Sequence, residues 1–364
     1  MPKICLKICL IGGGSGGHLF PAIATAQELE RQNLKTFLIT DQRCEKYLPK
    51  PMHIKTFVLK LGSIQASFGQ KILTLFRMGL AIFSSIKILL QEKPLIVVGF
   101  GGYPTLPTLI AARLLKIPIV LHEQNCFLGK VNKMFAKSAA FIALNFEQTQ
   151  NIDPNVKHKI VITGNPIRQE ISAYQLEKNF TQTPFTILVI GGSQGASYFD
   201  DLMIKTITLL KQQTNKEIKI IQQSRLAHRG QMKKKYDDIG VQAEINDFFQ
   251  DIYLKYNQAH LVIARSGAGA ISELIELGLP AILVPLPTSA QNHQLYNAQA
   301  LSQAEASWHF EQKDLKPNIL ADQILKLMLQ PSLLQEARNN LISMKKKAAE
   351  LLVAYLVMRL DLIV

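Results

Sequence analysis

The chain has 364 residues, 48% of them hydrophobic, and a formal net charge of +14. That length accommodates two domain cores of ordinary size, and the charge points to an anionic partner: nucleic acid, an acidic lipid surface or a phosphorylated substrate. The basic residues are dispersed and not interleaved with aromatics, which sets nucleic acid aside, and no stretch reaches the roughly 18–20 uninterrupted apolar residues of a spanning helix.

The first strand is expected at Ile4–Ile11, followed by a glycine run, Gly12–His18. The apolar run is broken by Lys7 and ends in glycines, so it does not read as a secretion signal. A helix is expected over Pro21–Gln32, with proline near its first position, and a second strand over Thr36–Thr40. This strand, glycine loop, helix, strand order opens a doubly wound parallel sheet. Cys5 and Cys9 share one face of the first strand and are read as packing residues; with Cys44 and Cys126 they form no C-x-x-C pair, which fits a reduced, cytoplasmic compartment.

A long apolar helix is expected over Gly69–Gln91, then strands at Leu95–Val98, Ile117–Leu121 and Phe141–Leu144. A short helix, Thr108–Leu115, lies between the first two of these. Lys159–Arg168 reads as a strand with a Gly-Asn-Pro turn, the crossover to a second half. There the pattern restarts: strand Phe185–Ile190, glycine segment Gly191–Ala196, helix, strand Ile218–Ile221. Two similar openings half a chain apart imply two similar domains. The strand His260–Ala264 leads into Ser266-Gly-Ala-Gly and a helix carrying Ile271, Leu274, Ile275 and Leu277. Strand Pro280–Val284 and a polar loop, Pro285–Ala298, follow, and 314–348 read as helices. The last stretch, 349–364, is apolar on nearly all sides, with no account from pattern alone.

A glycine turn feeding a helix is an anion cradle, because unpaired N–H groups and the positive dipole end converge there. Glu273, early in the helix after Ser266, can accept from the two vicinal hydroxyls of a ribose; its competing role is to offset the dipole. Gly12-x-Gly14-x-x-Gly17 with Asp41 formally matches a dinucleotide fingerprint, but the second glycine half takes the place of a substrate domain. His18, at the helix entry, can act as a general base or simply cap the helix. Tyr103 suits a cleft wall; Asn125 lies beyond a strand's carboxyl end; Ser193 can donate to phosphate; Arg168 can neutralise a diphosphate or form a surface ion pair. His122-Glu123 begins like a zinc motif, but no second histidine follows at the needed spacing.

Together, GGSGGH (13–18), GGY (101–103), HEQN (122–125), GNPIR (164–168), GGSQGA (191–196), RSGAxxxSE (265–273) and HQxxNA (293–298) closely resemble the MurG family of cell-wall glycosyltransferases. The resemblance implies an α/β, GT-B fold: two Rossmann-like doubly wound parallel-sheet domains facing a central cleft. The divisions would be an acceptor- and membrane-facing domain over 1–163, a UDP-GlcNAc-binding domain over 164–340, and a tail, 341–364, packing back on the first domain. The implied reaction is inverting transfer of GlcNAc from UDP-GlcNAc to the MurNAc 4-hydroxyl of undecaprenyl-diphospho-MurNAc-pentapeptide, lipid I. The product, lipid II, serves peptidoglycan synthesis. No cofactor or metal is implied; helix dipole and backbone N–H groups would stabilise the leaving UDP.

By the same resemblance His18 is the base. Glu273 binds ribose; Ser193 with Ala268, Gly269 and Ala270 holds the diphosphate; Gln294 and Asn297 bind sugar hydroxyls; the backbone near Phe249 reads uracil. Ser15, Gly16, Gly17, Tyr103, Asn125 and Arg168 approach donor and acceptor. The family often has a hydroxyl residue where Gly269 and Ala270 stand here, and the tail has no recognisable match. Those departures keep open a catalytically inactive nucleotide-sugar-binding, membrane-associated protein, beside the NAD(P)-dependent oxidoreductase that Gly12–Gly17 and Asp41 suggest. A lipid-anchored acceptor requires peripheral attachment at the cytoplasmic face of the inner membrane, and admits other cell-wall synthesis proteins as partners. Phe68, Ile72, Leu75, Phe76, Phe83 and Ile86, rimmed by Lys71, Arg77 and Lys87, are expected to form a face for anionic lipid; a buried core helix is the competing reading.

Overall fold

The computed structural model describes residues 7–49, 53–61, 68–249 and 251–361, with the side chains of 68–73, 75 and 192–196 outside that description. Cys5 and the start of the expected first strand lie outside the described residues, as do the side chains of Phe68, Lys71, Ile72, Leu75 and Ser193. The chain divides into two compact units: residues up to Gln169 together with those from Lys346 onward, and Glu170–Lys345 between them.

The first unit runs β1 (Lys7–Ile11), α1 (Gly16–Arg31), β2 (Lys35–Asp41), β3 (Lys55–Leu59), α2 (Phe68–Glu92), β4 (Ile96–Gly99), α3 (Leu106–Leu114), β5 (Ile119–Glu123), α4 (Lys130–Phe135), β6 (Phe141–Leu144) and β7 (Ile160–Ile162). The short α5 (Gln169–Ser172) starts at the crossover. The second unit holds β8 (Phe185–Ile190), α6 (Gly192–Gln213), β9 (Ile218–Gln223), α7 (Arg229–Asp238), β10 (Gln242–Asn246), α8 (Ile252–Gln258), β11 (Leu261–Ala264), α9 (Ala268–Leu277), β12 (Ala281–Leu283), α10 (His293–Gln303), β13 (Trp308–His309), α11 (Pro317–Leu329) and α12 (Pro331–Ser343). The chain ends on α13 (Ala348–Asp361), in the first unit.

Both sheets are parallel, with order β3-β2-β1-β4-β5-β6-β7 in the first and β10-β9-β8-β11-β12-β13 in the second. Parallel strands are covered on both faces, so they are apolar almost throughout, and alternate residues enter opposite cores. Along β1, Ile8 and Leu10 join the layer under α1, while Cys9 and Ile11 join the layer that holds Ala81 and Leu89 of α2. In each sheet the order reverses once: between β1 and β4, and between β8 and β11. Loops leaving such a strand pair diverge, and the crevice beyond their carboxyl ends is where open α/β sheets take ligands.

Three features differ from the pattern reading. α1 begins at Gly16, not at Pro21, and α6 begins at Gly192, so much of each glycine segment is helix rather than turn. β3, β10 and β13 are short or polar strands that periodicity does not reveal. Finally, the apolar tail is the helix α13, which packs on α1. Leu352, Val353, Leu356 and Leu360 are buried with Leu19, Ile23 and Ala26 of α1, while Leu351, Tyr355 and Met358 face outward. Its all-round apolar character is thus one buried stripe and one exposed one.

Because Leu356 is wholly buried in that layer, Leu356→Ala should destabilise the first unit by about 3 kcal/mol, as large-to-small changes in packed cores do. Denaturant unfolding measures this, and a change below about 0.5 kcal/mol would contradict the docking of α13.

Candidate active site

The first unit's glycine loop leaves β1 at its switch point. Asp41, wholly buried at the end of β2, shapes it: Oδ1 accepts from Gly14 N–H (2.7 Å) and Oδ2 from Arg43. The carboxylate that a dinucleotide ribose would need is therefore engaged within the loop, against the oxidoreductase reading. Ser15 is exposed and extended at the N-cap of α1, and its side chain makes no capping bond. Gly16 and Gly17 are the first residues of the helix, whose leading N–H groups have no partner within it.

His18 sits in this first turn. Its Nδ1 lies 2.8 Å from the Phe100 carbonyl oxygen and 2.9 Å from Gln124 Oε1. A carbonyl only accepts, so Nδ1 carries the proton and Nε2 of the neutral ring carries the lone pair. The GGY loop after β4 lies against the ring. A Cβ on Gly102 would stand 2.9 Å from His18 Cδ2 and 3.2 Å from Nε2, and its φ of +80° also requires glycine. Tyr103 follows, half-buried, its phenol pKa raised by burial.

At the end of β5, Glu123 is buried and organises the loop to α4. Its Oε1 accepts from the backbone N–H and the side-chain amide of Asn125, and its Oε2 from Gly129 N–H and Asn132. Asn125 is thereby set in place, and the apparent zinc motif is a loop brace. Arg168 stacks its guanidinium on the Phe20 ring at 5.1 Å, tying the start of the crossover to α1.

The second unit's glycine turn leaves β11. Gly267 is the extended N-cap of α9, without a side-chain cap, so Ala268, Gly269 and Ala270 present the first-turn N–H end of the helix. Among the described residues, and apart from its chain neighbours and the helix's own backbone, no atom lies within 4 Å of a Cβ built on Gly269, so a hydroxyl side chain there would have room. The turn is braced from α10. Ser266 Oγ donates to the Gln294 carbonyl (2.8 Å), Asn297 donates to the Ser266 carbonyl (3.0 Å), and Gln294 Oε1 accepts from Leu286 N–H. Asn297 is wholly buried, and its amide holds the backbone of the turn. Gln294 is only half-buried, and with its oxygen engaged its NH2 end is the one to offer a ligand.

Glu273, one turn further along α9, accepts from the hydroxyl of buried Tyr256 at 2.8 Å, which fixes the carboxylate's orientation. Arg265, just before the turn, stands over the rings of Tyr198 and Phe199 and donates to Val284 O, Pro285 O and Gln312. Burial lowers its pKa, but a guanidinium remains charged, so it adds positive potential at the switch point. Phe249 is buried after β10 with Lys255 over its ring, and Ser193 lies in the first turn of α6. Each unit thus gathers its own set: His18, the glycines and Asn125 in one, the α9 end with Glu273 and Gln294 in the other. Gln124 and Tyr256 were not anticipated. Gln124 lies inside the HEQN motif, whereas nothing in the sequence near Tyr256 marks it.

Two doubly wound sheets, each with a glycine turn feeding an open helix N-terminus at its switch point, make a two-domain α/β protein of the GT-B fold. Residues 8–144 match the glycosyltransferase family 28 N-terminal domain, and 186–352 the C-terminal domain of that family. Curated relatives from Rickettsia rickettsii (strain Sheila Smith) and Rickettsia typhi are 39% and 40% identical, covering 95% of this chain and 97% of each relative. Both are named UDP-N-acetylglucosamine--N-acetylmuramyl-(pentapeptide) pyrophosphoryl-undecaprenol N-acetylglucosamine transferase. The crystal structure of Acinetobacter baumannii MurG superposes with a TM-score of 0.76 at 27% identity, covering 96% of this chain and 98% of that one. A Staphylococcus aureus MnaA–UDP structure shares the fold, with a TM-score of 0.67 at 13% identity and coverage of 98% and 97%. The chain belongs to the MurG family of glycosyltransferases.

Burial pushes the His122 imidazole from its ordinary 6.5 down to about 4, with the His18 charge adding and the bond to Gly164 O opposing. The folded chain keeps His122 neutral where the unfolded chain protonates it. Its contribution to stability is therefore full above pH 6.5 and lost as pH falls toward 4. Native stability should drop across that window by up to about 3 kcal/mol. Denaturant midpoints at pH 7 and near pH 4.5 measure it, and His122→Gln should flatten the decline; an equally steep decline in the variant would contradict this assignment.

Proposed function

We propose that this enzyme transfers GlcNAc from UDP-GlcNAc to the MurNAc 4-hydroxyl of lipid I, giving lipid II, by a single displacement. The observation that carries the reading is the orientation of His18, whose Nε2 lone pair is the basic end of the ring. In this reading Nε2 takes the proton of the 4-hydroxyl as that oxygen attacks C1 of the sugar. The C1–O bond to the diphosphate breaks, UDP leaves with the bonding electrons, and the α-linked donor becomes a β-linked product. The α9 N-terminus, the first turn of α6 with Ser193, and Arg168 offset the charge gathering on the diphosphate. Tyr256-oriented Glu273 accepts from the ribose hydroxyls, the Gln294 amide donates to the sugar, and the backbone near Phe249 meets the uracil edge. Ser15, Gly16, Gly17, Tyr103 and Asn125 line the acceptor's approach.

Kinetics of purified variants test these roles. His18→Gln should lower kcat by about 10²- to 10⁴-fold, with donor KM within about twofold of wild type. Glu273→Ala should instead raise donor KM by roughly 10- to 100-fold, the worth of a hydrogen bond to a charged acceptor. Unchanged turnover in the first, or a normal KM in the second, would contradict the assignments.

We also propose peripheral attachment to anionic lipid on the cytoplasmic leaflet through α2. Among the described residues no helix is long and apolar enough to cross a membrane. Along α2, Phe76, Leu80, Phe83 and Leu90 are 64%, 53%, 69% and 56% exposed and recur on one helical stripe with Lys87, flanked by Arg77. Ala81, Ser85 and Leu89 form the opposite, buried stripe, which supports a two-sided helix over a wholly buried one. Ile86, expected on the lipid face, packs on the core, while Leu80 and Leu90 join that face. Phe76→Ser with Phe83→Ser should abolish co-sedimentation with anionic vesicles while leaving turnover of a short-chain acceptor unchanged. Undiminished vesicle binding would contradict the proposal.

A further inference from the structure

Behind His18 runs a chain of buried polar groups that the transfer reaction, as derived above, does not use. Gln124 is 1% exposed and His122 0%. Gln124 Oε1 faces His18 Nδ1 at 2.9 Å, while its Nε2 stands 2.9 Å from His122 Nδ1 and 3.2 Å from the His122 carbonyl. His122 Nε2 lies 3.0 Å from the Gly164 carbonyl, which also accepts from Thr163 Oγ1 at 3.0 Å. That carbonyl is held firmly. Gly164 has φ +80°, and a Cβ there would stand 3.2 Å from the Cβ atoms of both Lys346 and Ala348.

The polarity of the chain has one solution. Gly164 O can only accept, so His122 Nε2 donates, and the neutral ring's Nδ1 accepts. Gln124 Nε2 is the donor to that nitrogen, which turns Oε1 toward His18, so His18 Nδ1 must donate. Reversing the chain would set a ring lone pair against Gly164 O, Gln124 Oε1 against the His122 carbonyl, and a second ring lone pair against Phe100 O. Three contacts, two of them fully buried, would become repulsive at once. Burial also keeps His122 from protonating and breaking the sequence.

We infer that Gln124 and His122 are positioning residues that lock His18 as the Nδ1–H tautomer, through hydrogen bonds anchored on the Gly164 carbonyl. The inference rests on His18 being the base, since only then does the tautomer matter for transfer. A histidine free in water favours the proton on Nε2, the arrangement in which it could not take the acceptor's proton; the relay opposes that preference. The Phe100 carbonyl alone would hold Nδ1–H only in part, because the ring could rotate away from a single acceptor.

The test is nitrogen-15 NMR of the full-length, histidine-labelled protein, with the His18 signals assigned by their loss in His18→Gln. The expected wild-type pattern is a protonated Nδ1 and an unprotonated Nε2. In Gln124→Leu the two shifts should move toward each other as tautomers mix, with kcat about tenfold lower and donor KM unchanged. Gln124→Glu keeps the shape and the acceptor oxygen, and should retain the Nδ1–H signature that Gln124→Leu loses. A packing role alone would leave the tautomer at its wild-type state in both variants. A wild-type Nε2–H signature, or a His18 tautomer unchanged by Gln124→Leu, would overturn the relay. Mixed tautomers in Gln124→Leu with wild-type kcat would support the relay and overturn His18 as the base.

Discussion

A parallel sheet that winds both ways must reverse its strand order somewhere, and the two glycine turns of this chain are built on that constraint. At β1 and β4, and again at β8 and β11, adjacent strands send their connections to opposite faces. The backbone there has no neighbouring loop to pair with, and a helix N-terminus arrives with unspent N–H groups. Apolar strands such as Phe185–Ile190 fix the register, and the register fixes where the loops open. Glycine then lets the chain pass at distances no side chain would allow, as at Gly102 over the His18 ring. The same construction appears twice and carries different side chains each time: a histidine on one α-helix, a glutamate on the other.

Buried polar groups turn these openings from generic cradles into specific ones. Glu123 uses both oxygens to hold three donors of one loop and a fourth in α4, and Asp41 does similar service for the first glycine turn. Such networks are costly unless fully satisfied, so each fixes a single loop conformation. Arg265 extends the principle to charge. Its guanidinium is kept by two aromatic rings and two backbone carbonyls beside the α9 turn, a permanent positive group that no solvent ion need replace.

What could be read from the sequence follows from how local each signal is. The glycine segments, the apolar strands and the repeat of the opening unit are short-range patterns, and they gave the doubly wound fold and the positions of His18 and Glu273. Periodicity failed where tertiary structure decides. β10 is Gln-Ala-Glu-Ile-Asn, a strand only because β9 pairs with it. The glycines of α1 and α6 looked like turns because helix propensity disfavours them, yet they occupy first turns where N–H groups must stay accessible. α13 resisted reading because one face meets α1, an element more than 300 residues earlier in the chain. Gln124 and Tyr256 act through partners 106 and 17 residues away, distances over which a single sequence carries no pairing signal. The bond from Asn297 to the Ser266 carbonyl spans 31 residues and is equally invisible to local pattern.

The proposed reaction is a single displacement at C1 by an acceptor oxygen whose proton passes to His18. The most direct measurement is the linkage of the product formed from UDP-GlcNAc and a short-chain lipid I analogue, read from the anomeric proton coupling. The expected product is a new disaccharide, β-linked to the 4-position of MurNAc. An α-linked product, or release of free GlcNAc without transfer, would contradict it.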